Sequence, residues 1–267
     1  LNICGRDLPR TLTKRQVMVL PYGGKLDAFF KYTREWLDER DPQRDGADEE
    51  DKEKRNKRVV FLSMHMMDAV KANVKGALKI MDWLQVCAKA VAVADQPIYW
   101  TTPCGFTVRH FYGQDRSKRV GIMLDGTRVQ LTLTEKTAKL STKEQTSGIA
   151  PNFIHSLDAA TLTLCLKLCR EAGIEEFSSV HDAYGTHAAN MDALSTLLRE
   201  AFIEVHRHDV LGEFRAACAR VLVDALVVKN GMDPLEAFQK ADKMLPQPLE
   251  TGSLDIEAVA DSPYFFA

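Results

Sequence analysis

The segment Arg10-Thr-Leu-Thr-Lys14-Arg15-Gln-Val-Met18-Val-Leu-Pro21-Tyr22-Gly23-Gly24 constrains the fold more tightly than any other, because it suits one kind of element of one length. Asp7 can cap a helix, Pro9 is tolerated in a first turn and Gly23-Gly24 supply a stop, so a helix over about 7–23 is expected. At a rise of about 1.5 Å and about 100° per residue, Arg10, Lys14 and Met18 fall within roughly 80° of one another, and Tyr22 lies about 18 Å along the axis from Arg10. That span suits an extended triphosphate, sugar and base. Unpaired N–H groups and the macrodipole favour anions at the N-terminal end, where the cations also sit, so Met18 and Tyr22 would face the sugar and base. Pro21 removes one hydrogen bond from the last turn and would let Tyr22 move. Taken alone, the same cations also describe a basic amphipathic helix with a solvated face.

About 160 residues later the chain reads Ser179-Val180-His181-Asp182-Ala183-Tyr184-Gly185. Ile174 to Val180 can form a strand and the residues after it can turn it back, which puts the Asp182 carboxylate at a hairpin tip. A hard oxygen ligand suits Mg²⁺, and nucleotidyl transfer uses such ions to neutralise the triphosphate and lower the pKa of the attacking hydroxyl. By itself a His-Asp pair is as readily a capped turn as a metal site.

The two segments together, Arg10, then Lys14, then Tyr22-Gly23, followed by His181-Asp182, resemble motifs B and C of the single-subunit, bacteriophage-type RNA polymerases and of their relatives, the family A DNA polymerases. The DNA enzymes typically carry glutamate directly after the motif C aspartate; Ala183 stands here, as in the RNA branch. Ser147-Gly-Ile-Ala-Pro151-Asn152-Phe153-Ile154-His155-Ser156 resembles the segment entering the palm of the RNA enzymes, whose histidine contacts nucleic acid near the growing 3′ end. Asp209-Val-Leu-Gly-Glu-Phe214, Asp242-Lys243-Met244 and Tyr264-Phe265-Phe266-Ala267 are similar to that family's C-terminal region, where an aromatic tail folds back toward the active site. The resemblance implies an α+β, mostly helical chain, with right-hand polymerase fingers over 1–147 and the later part of the palm over 148–267. It implies triphosphate binding by Arg10, Lys14, Arg15, Met18, Tyr22 and Gly23, Mg²⁺ ligation by Asp182, and catalytic roles for Asp182, Lys14, Tyr22 and His155.

A two-metal site needs a second aspartate, which the family supplies from a motif A segment absent from this sequence; Asp45-Gly46 and Asp125-Gly126 lack its sequel. The resemblance therefore places the chain as the C-terminal portion of a DNA-directed RNA polymerase, inactive alone, with an upstream polypeptide carrying motif A, template and promoter DNA, nascent RNA and NTPs as partners, two Mg²⁺ ions in the complete site and a cytoplasmic location. A family A DNA polymerase fragment and a non-catalytic remnant that binds nucleic acid or a partner are the alternatives.

The remaining readings come from the residues. A formal net charge of −2 means that nucleic-acid contact must come from local basic surfaces rather than the overall field. One such surface is Arg109, Arg116, Lys118, Arg119 and Arg128, within a hairpin expected over about 98–133 that turns at Asp125-Gly126. Its position resembles the promoter-specificity hairpin of the phage-type enzymes, and the same residues also fit ordinary surface charge. The charge-dense stretch 41–58 reads as a solvated loop or helix end, and 61–94 as one helix with Met64, Met67, Val70, Val74, Leu78 and Met81 in the core. Further helices are expected over 151–172, 191–206 and 210–229, and irregular chain over 235–267. Six cysteines without a Cys-x-x-Cys read as small buried hydrophobes, His206 and His208 as a solvated helix end, and no run reaches membrane-spanning length.

Overall fold

The computed structural model describes residues 10–40 and 48–265. It is mostly helical with three two-stranded antiparallel hairpins, and it divides into two compact units, one ending at Leu84 and the other beginning at Gln85. Among the described residues no helix is long and apolar enough to cross a membrane.

In the first unit, helices α1 (Arg10–Val19), α2 (Leu26–Arg40) and α3 (Glu49–Asn73) pack around Leu12, Leu20, Phe29, Trp36, Leu37, Val59, Met66 and Val70. Phe29 is wholly buried, which contributes about 2–3 kcal/mol. Both expected start signals of α1, Asp7 and Pro9, lie outside the described residues. Its end is a Schellman closure: Gly23 N–H bonds to Leu20 O and Gly24 N–H to Val19 O, with Gly23 at φ 87°. Regular helix stops at Val19, and Leu20–Gly23 form the closing turn. A Cβ on Gly24 would collide with the Val19 carbonyl, so that position needs glycine.

The stretch read as a solvated loop or helix end is helical from Glu49. Asp48 caps α3 by accepting from Asp51 N–H at 2.8 Å, and acidic residues fill the first turn. Residues 41–47, with Asp45-Gly46, lie outside the described residues. The helix expected over 61–94 is two helices, interrupted at Val74 (φ −102°, ψ 36°) one residue before α4 (Lys75–Val93). Gly76, the weakest helix former in that stretch, follows the interruption. Met64 is about half exposed, whereas Val70 is buried as expected.

The second unit holds β1 (Ile98–Thr101) paired with β2 (Thr107–His110), then the long pair β3 (Gly113–Leu124) and β4 (Thr127–Leu140). At the tip of the long hairpin Asp125 and Gly126 both take positive φ, 47° and 75°, the signature of a type I′ turn. Helix α5 (Thr142–Glu171) starts nine residues before the expected 151, because Ser141 and Glu144 form a capping box and Pro151 is accommodated inside the helix. Then follow β5 (Phe177–Val180), β6 (Ala183–Thr186), α6 (Met191–Arg207), α7 (Val210–Asn230) and α8 (Pro234–Met244). The chain after α8 is irregular apart from one 3₁₀ turn at Ile256–Val259. Asp242, at the end of α8, pairs with Arg215 of α7 at 2.6 Å, and the same guanidinium donates to Pro246 O.

Candidate functional site

On α1 the residues alternate between two faces. Leu12, Gln16 and Leu20 are buried at four-residue spacing, while Arg10, Lys14 and Met18 are exposed, and Tyr22 is 39% exposed in the closing turn. The sequence-expected stripe is therefore presented to solvent as one face. Arg15 is off it. Its guanidinium pairs with Glu35 of α2 at 2.8 Å and lies 5.7 Å from the Tyr32 ring. Arg10 and Lys14 make no ion pair among the described residues.

Asp182 occupies the second position of the two-residue turn joining β5 to β6, flanked by the Val180–Ala183 pair. His181 supplies the reversal with a φ of 53°, an uncommon conformation for a side-chain-bearing residue and one that histidine tolerates better than most. The carboxylate is exposed and borders a recess of about 480 Å³ walled by Tyr184, Met191, Leu194, Ser195, Leu198 and Phe265. Beneath the tip, Phe177 and Tyr184 meet edge-on at 6.2 Å and pack on the cluster of Cys165, Cys169, Leu194, Leu198 and Ala201. Burial pushes the Tyr184 phenol up to about 12, with Asp158, Cys165 and Asp182 adding to the rise, so it stays a neutral hydroxyl beside the carboxylate. Cys165 and Cys169 behave as the buried hydrophobes expected, with thiol pKa values raised by burial.

His155 is exposed on α5, one turn before Asp158, the carboxylate felt by Tyr184. Below it the structure reveals a polar network that no local pattern announces. His110 of β2 is buried; its Nε2–H donates to Gln145 O at 2.8 Å, and its Nδ1 accepts from the Asn152 amide at 3.1 Å. Gln145 returns a bond to His110 O and accepts from Tyr112 N–H, and Asn152 also donates to the Tyr112 hydroxyl. The Tyr112 ring lies where a side chain at Gly148 would stand, so the Ser147-Gly148 step of the recognised segment is set by this contact. Burial lowers the His110 pKa, consistent with the neutral ring that these bonds require.

The long hairpin has two unlike faces. Strict pairing sets Val120 against Leu131 and Ile122 against Val129 on one face, continued by Lys118 opposite Leu133 and Arg116 opposite Glu135. The other face carries Arg119 opposite Thr132, Gly121 opposite Gln130 and Met123 opposite Arg128. Of the expected basic residues, Arg119 and Arg128 thus share a polar face, and Arg116 and Lys118 sit at the base of an aliphatic one. Arg109 belongs to the short hairpin, where it donates to the Tyr99 hydroxyl and lies over Phe111. Of the expected aromatic tail, Phe265 reaches the recess beside Asp182, Tyr264 is exposed, and Phe266 and Ala267 lie outside the described residues.

Arg10, Lys14, Arg15, Met18, Tyr22 and Gly23 belong to the first unit; Asp182, His155 and the hairpin cations belong to the second. Among the described residues no group of three or more His, Cys, Asp or Glu gathers to hold a metal, so Asp182 offers a single hard oxygen donor.

A family model described as DNA-dependent RNA polymerase matches residues 2–267. The chain is 33% identical over 260 residues to the mitochondrial DNA-directed RNA polymerase 1B of Nicotiana tabacum, which is 96% of this chain and 23% of that protein. It is 37% identical over 195 residues to DNA-directed RNA polymerase 2A of the same plant, 72% of this chain and 51% of that protein. The mitochondrial DNA-directed RNA polymerase 1 of Arabidopsis thaliana is 33% identical over 203 residues, 75% of this chain and 18% of that protein.

Proposed function

Because the chain belongs to the phage-type, single-subunit DNA-dependent RNA polymerases, we propose that it supplies the nucleotide-gripping helix and the motif C aspartate of a DNA-templated RNA synthesis site. It spans about a quarter of the first of those relatives and about half of the second, so the rest of the site comes from polypeptide equivalent to their remaining length. The observation that carries the reading is Asp182: an exposed carboxylate on a two-residue turn, anchored from below by Phe177 and Tyr184 and open on one side to a recess.

Arg10 and Lys14, unpaired on one helix face, hold the triphosphate; Arg15 joins them on release from Glu35. Met18 packs against the sugar and base, Gly23 closes the helix tightly, and Tyr22 at that closure selects the ribonucleotide. His155, exposed on α5, donates to a base edge or 2′-hydroxyl near the 3′ end. Asp182 fits Mg²⁺ as one carboxylate ligand, with a second aspartate arriving from a motif A segment outside this sequence. When bound, the two ions neutralise triphosphate charge and lower the pKa of the attacking 3′ hydroxyl. Most of the rate enhancement is then charge stabilisation by cations already in place. The polar face of the long hairpin, with Arg119 and Arg128, meets DNA, and Arg116 and Lys118 steady its base against phosphates.

The test is Asp182→Asn in a complete polymerase that joins this chain to an upstream polypeptide carrying the first aspartate. The substitution keeps shape and removes charge, so extension of RNA on a template should fall by about 10²-fold to 10³-fold or more. Wild-type extension by the variant overturns the metal role.

A further inference from the structure

One side chain of α6 ties the segment after α8 to the recess beside Asp182. Arg199 is half-buried, and its Nη1 donates to Val259 O at 2.9 Å and to Ser262 O at 2.7 Å, two carbonyls at and just beyond the end of the 3₁₀ turn. Its guanidinium also lies 5.1 Å from the Phe265 ring centroid. Among the described residues no carboxylate pairs with it, so its charge is directed at main-chain oxygens that need a donor. Phe265 in turn meets Phe202 edge-on at 5.2 Å, packs on the cluster beneath Tyr184 and walls the recess that Asp182 borders. Eight residues further along α6, Arg207 grips Glu257 through two bonds of 2.7 Å, but that pair is solvated and on the surface.

We propose that Arg199 is a positioning residue for the motif C aspartate: it locks Phe265 in place as a wall of the recess, and through Tyr184 this holds the His181-Asp182 turn in the orientation catalysis requires. The inference rests on reading Asp182 as the metal-binding carboxylate. Arg199 touches neither nucleotide nor metal. It acts through a planar fork that bonds two carbonyls and stacks on a ring at once, which lysine cannot reproduce. Loss of the fork frees Phe265, admits water behind Tyr184 and loosens a turn already held in a strained conformation at His181.

Hydrogen exchange on the 267-residue chain tests the coupling without any need for activity. In Arg199→Ala, amides of 256–265 should exchange about tenfold faster, and those of 180–186 should accelerate with them. Arg199→Lys should recover part of the protection in both places, and Glu257→Gln should loosen 256–258 while leaving 180–186 as in wild type. Faster exchange confined to 256–265, or unchanged exchange throughout, overturns the proposal. Should Arg199→Ala fail to fold, the Arg199→Lys and Phe265→Leu variants carry the same comparison. In the complete polymerase Arg199→Ala should lower kcat while leaving KM for NTP near wild type, since α1 is untouched; an effect on KM alone overturns the positioning role. Correct exchange behaviour with a fully active Asp182→Asn enzyme would instead refute the reading of Asp182 and leave the clamp standing.

Discussion

Each unit buries a polar cluster, and the two are built on opposite terms. In the second unit His110 and Gln145 have both ends engaged, and the bonds run between β2, the chain at Tyr112 and α5. In the first unit the Gln16 amide donates to Thr33 at 3.4 Å, Thr33 accepts from Ser63 at 3.0 Å, and Gln16 Oε1 is buried with no partner among the described residues. The first arrangement specifies: a slip of β2 by one residue would orphan several buried groups at once. The second tolerates. Gln16 lies between Leu12 and Leu20 on the buried face of α1, where its stem fills space and one polar atom goes unrewarded. The His110 cluster sits under the recognised segment leading to His155, where geometry must be held, whereas the Gln16 cluster lies behind a helix whose working face points away from it.

The sharpest way to break this contrast is Gln145→Ala. It strips bonds from His110 O and Tyr112 N–H and leaves the His110 ring with one fewer constraint, so the second unit should lose about 2–4 kcal/mol. Exchange of the β1–β2 amides reads that loss directly. A change under about 1 kcal/mol would make the two clusters equivalent and the contrast empty.

The next effect depends on pH. Burial holds the folded His110 below its ordinary value of 6.5, so the unfolded chain binds more protons as pH falls below that value. Stability from this group is therefore complete above about 6.5 and is lost as pH falls toward the folded pKa, at up to about 1.4 kcal/mol per pH unit. Urea midpoints between pH 7.5 and 5 should show the slope in wild type and a shallower one in His110→Asn. Equal slopes would mean that other groups carry the acid sensitivity.

These two clusters also mark what a reading of the residues could and could not reach. Local rules were enough where the signal and the structure occupy the same few positions: the Gly23-Gly24 stop, the Asp125-Gly126 turn, the reversal at His181-Asp182 and the start of α7 after Asp209. They were not enough where the partner is far along the chain. His110 and Gln145 are 35 residues apart, and Arg199 lies about 60 residues from the carbonyls it holds, so neither shows in any window. The start of α5 was missed for another reason. Its capping box at Ser141 and Glu144 precedes a polar stretch without strong apolar periodicity, and Pro151 suggests a boundary where the helix runs on. The long hairpin extends to Leu140 through exposed Thr, Glu and Lys residues whose burial does not alternate, so its end carries no period-two signal.

The smallest effect is the most diagnostic of the difference. Gln16→Met keeps the length and volume of the side chain, removes the amide and discards the orphaned oxygen with it. The donor it gave to Thr33 is long at 3.4 Å, and Thr33 still receives Ser63, so little is left unsatisfied behind the substitution. An apolar replacement at a wholly buried site also gains transfer free energy. The expected outcome is a change within about 1 kcal/mol of wild type, on the stabilising side, read from exchange of the α1 and α3 amides. A loss of about 2 kcal/mol or more would show that Gln16 serves the first unit as Gln145 serves the second, and that Oε1 meets a group outside residues 10–40 and 48–265.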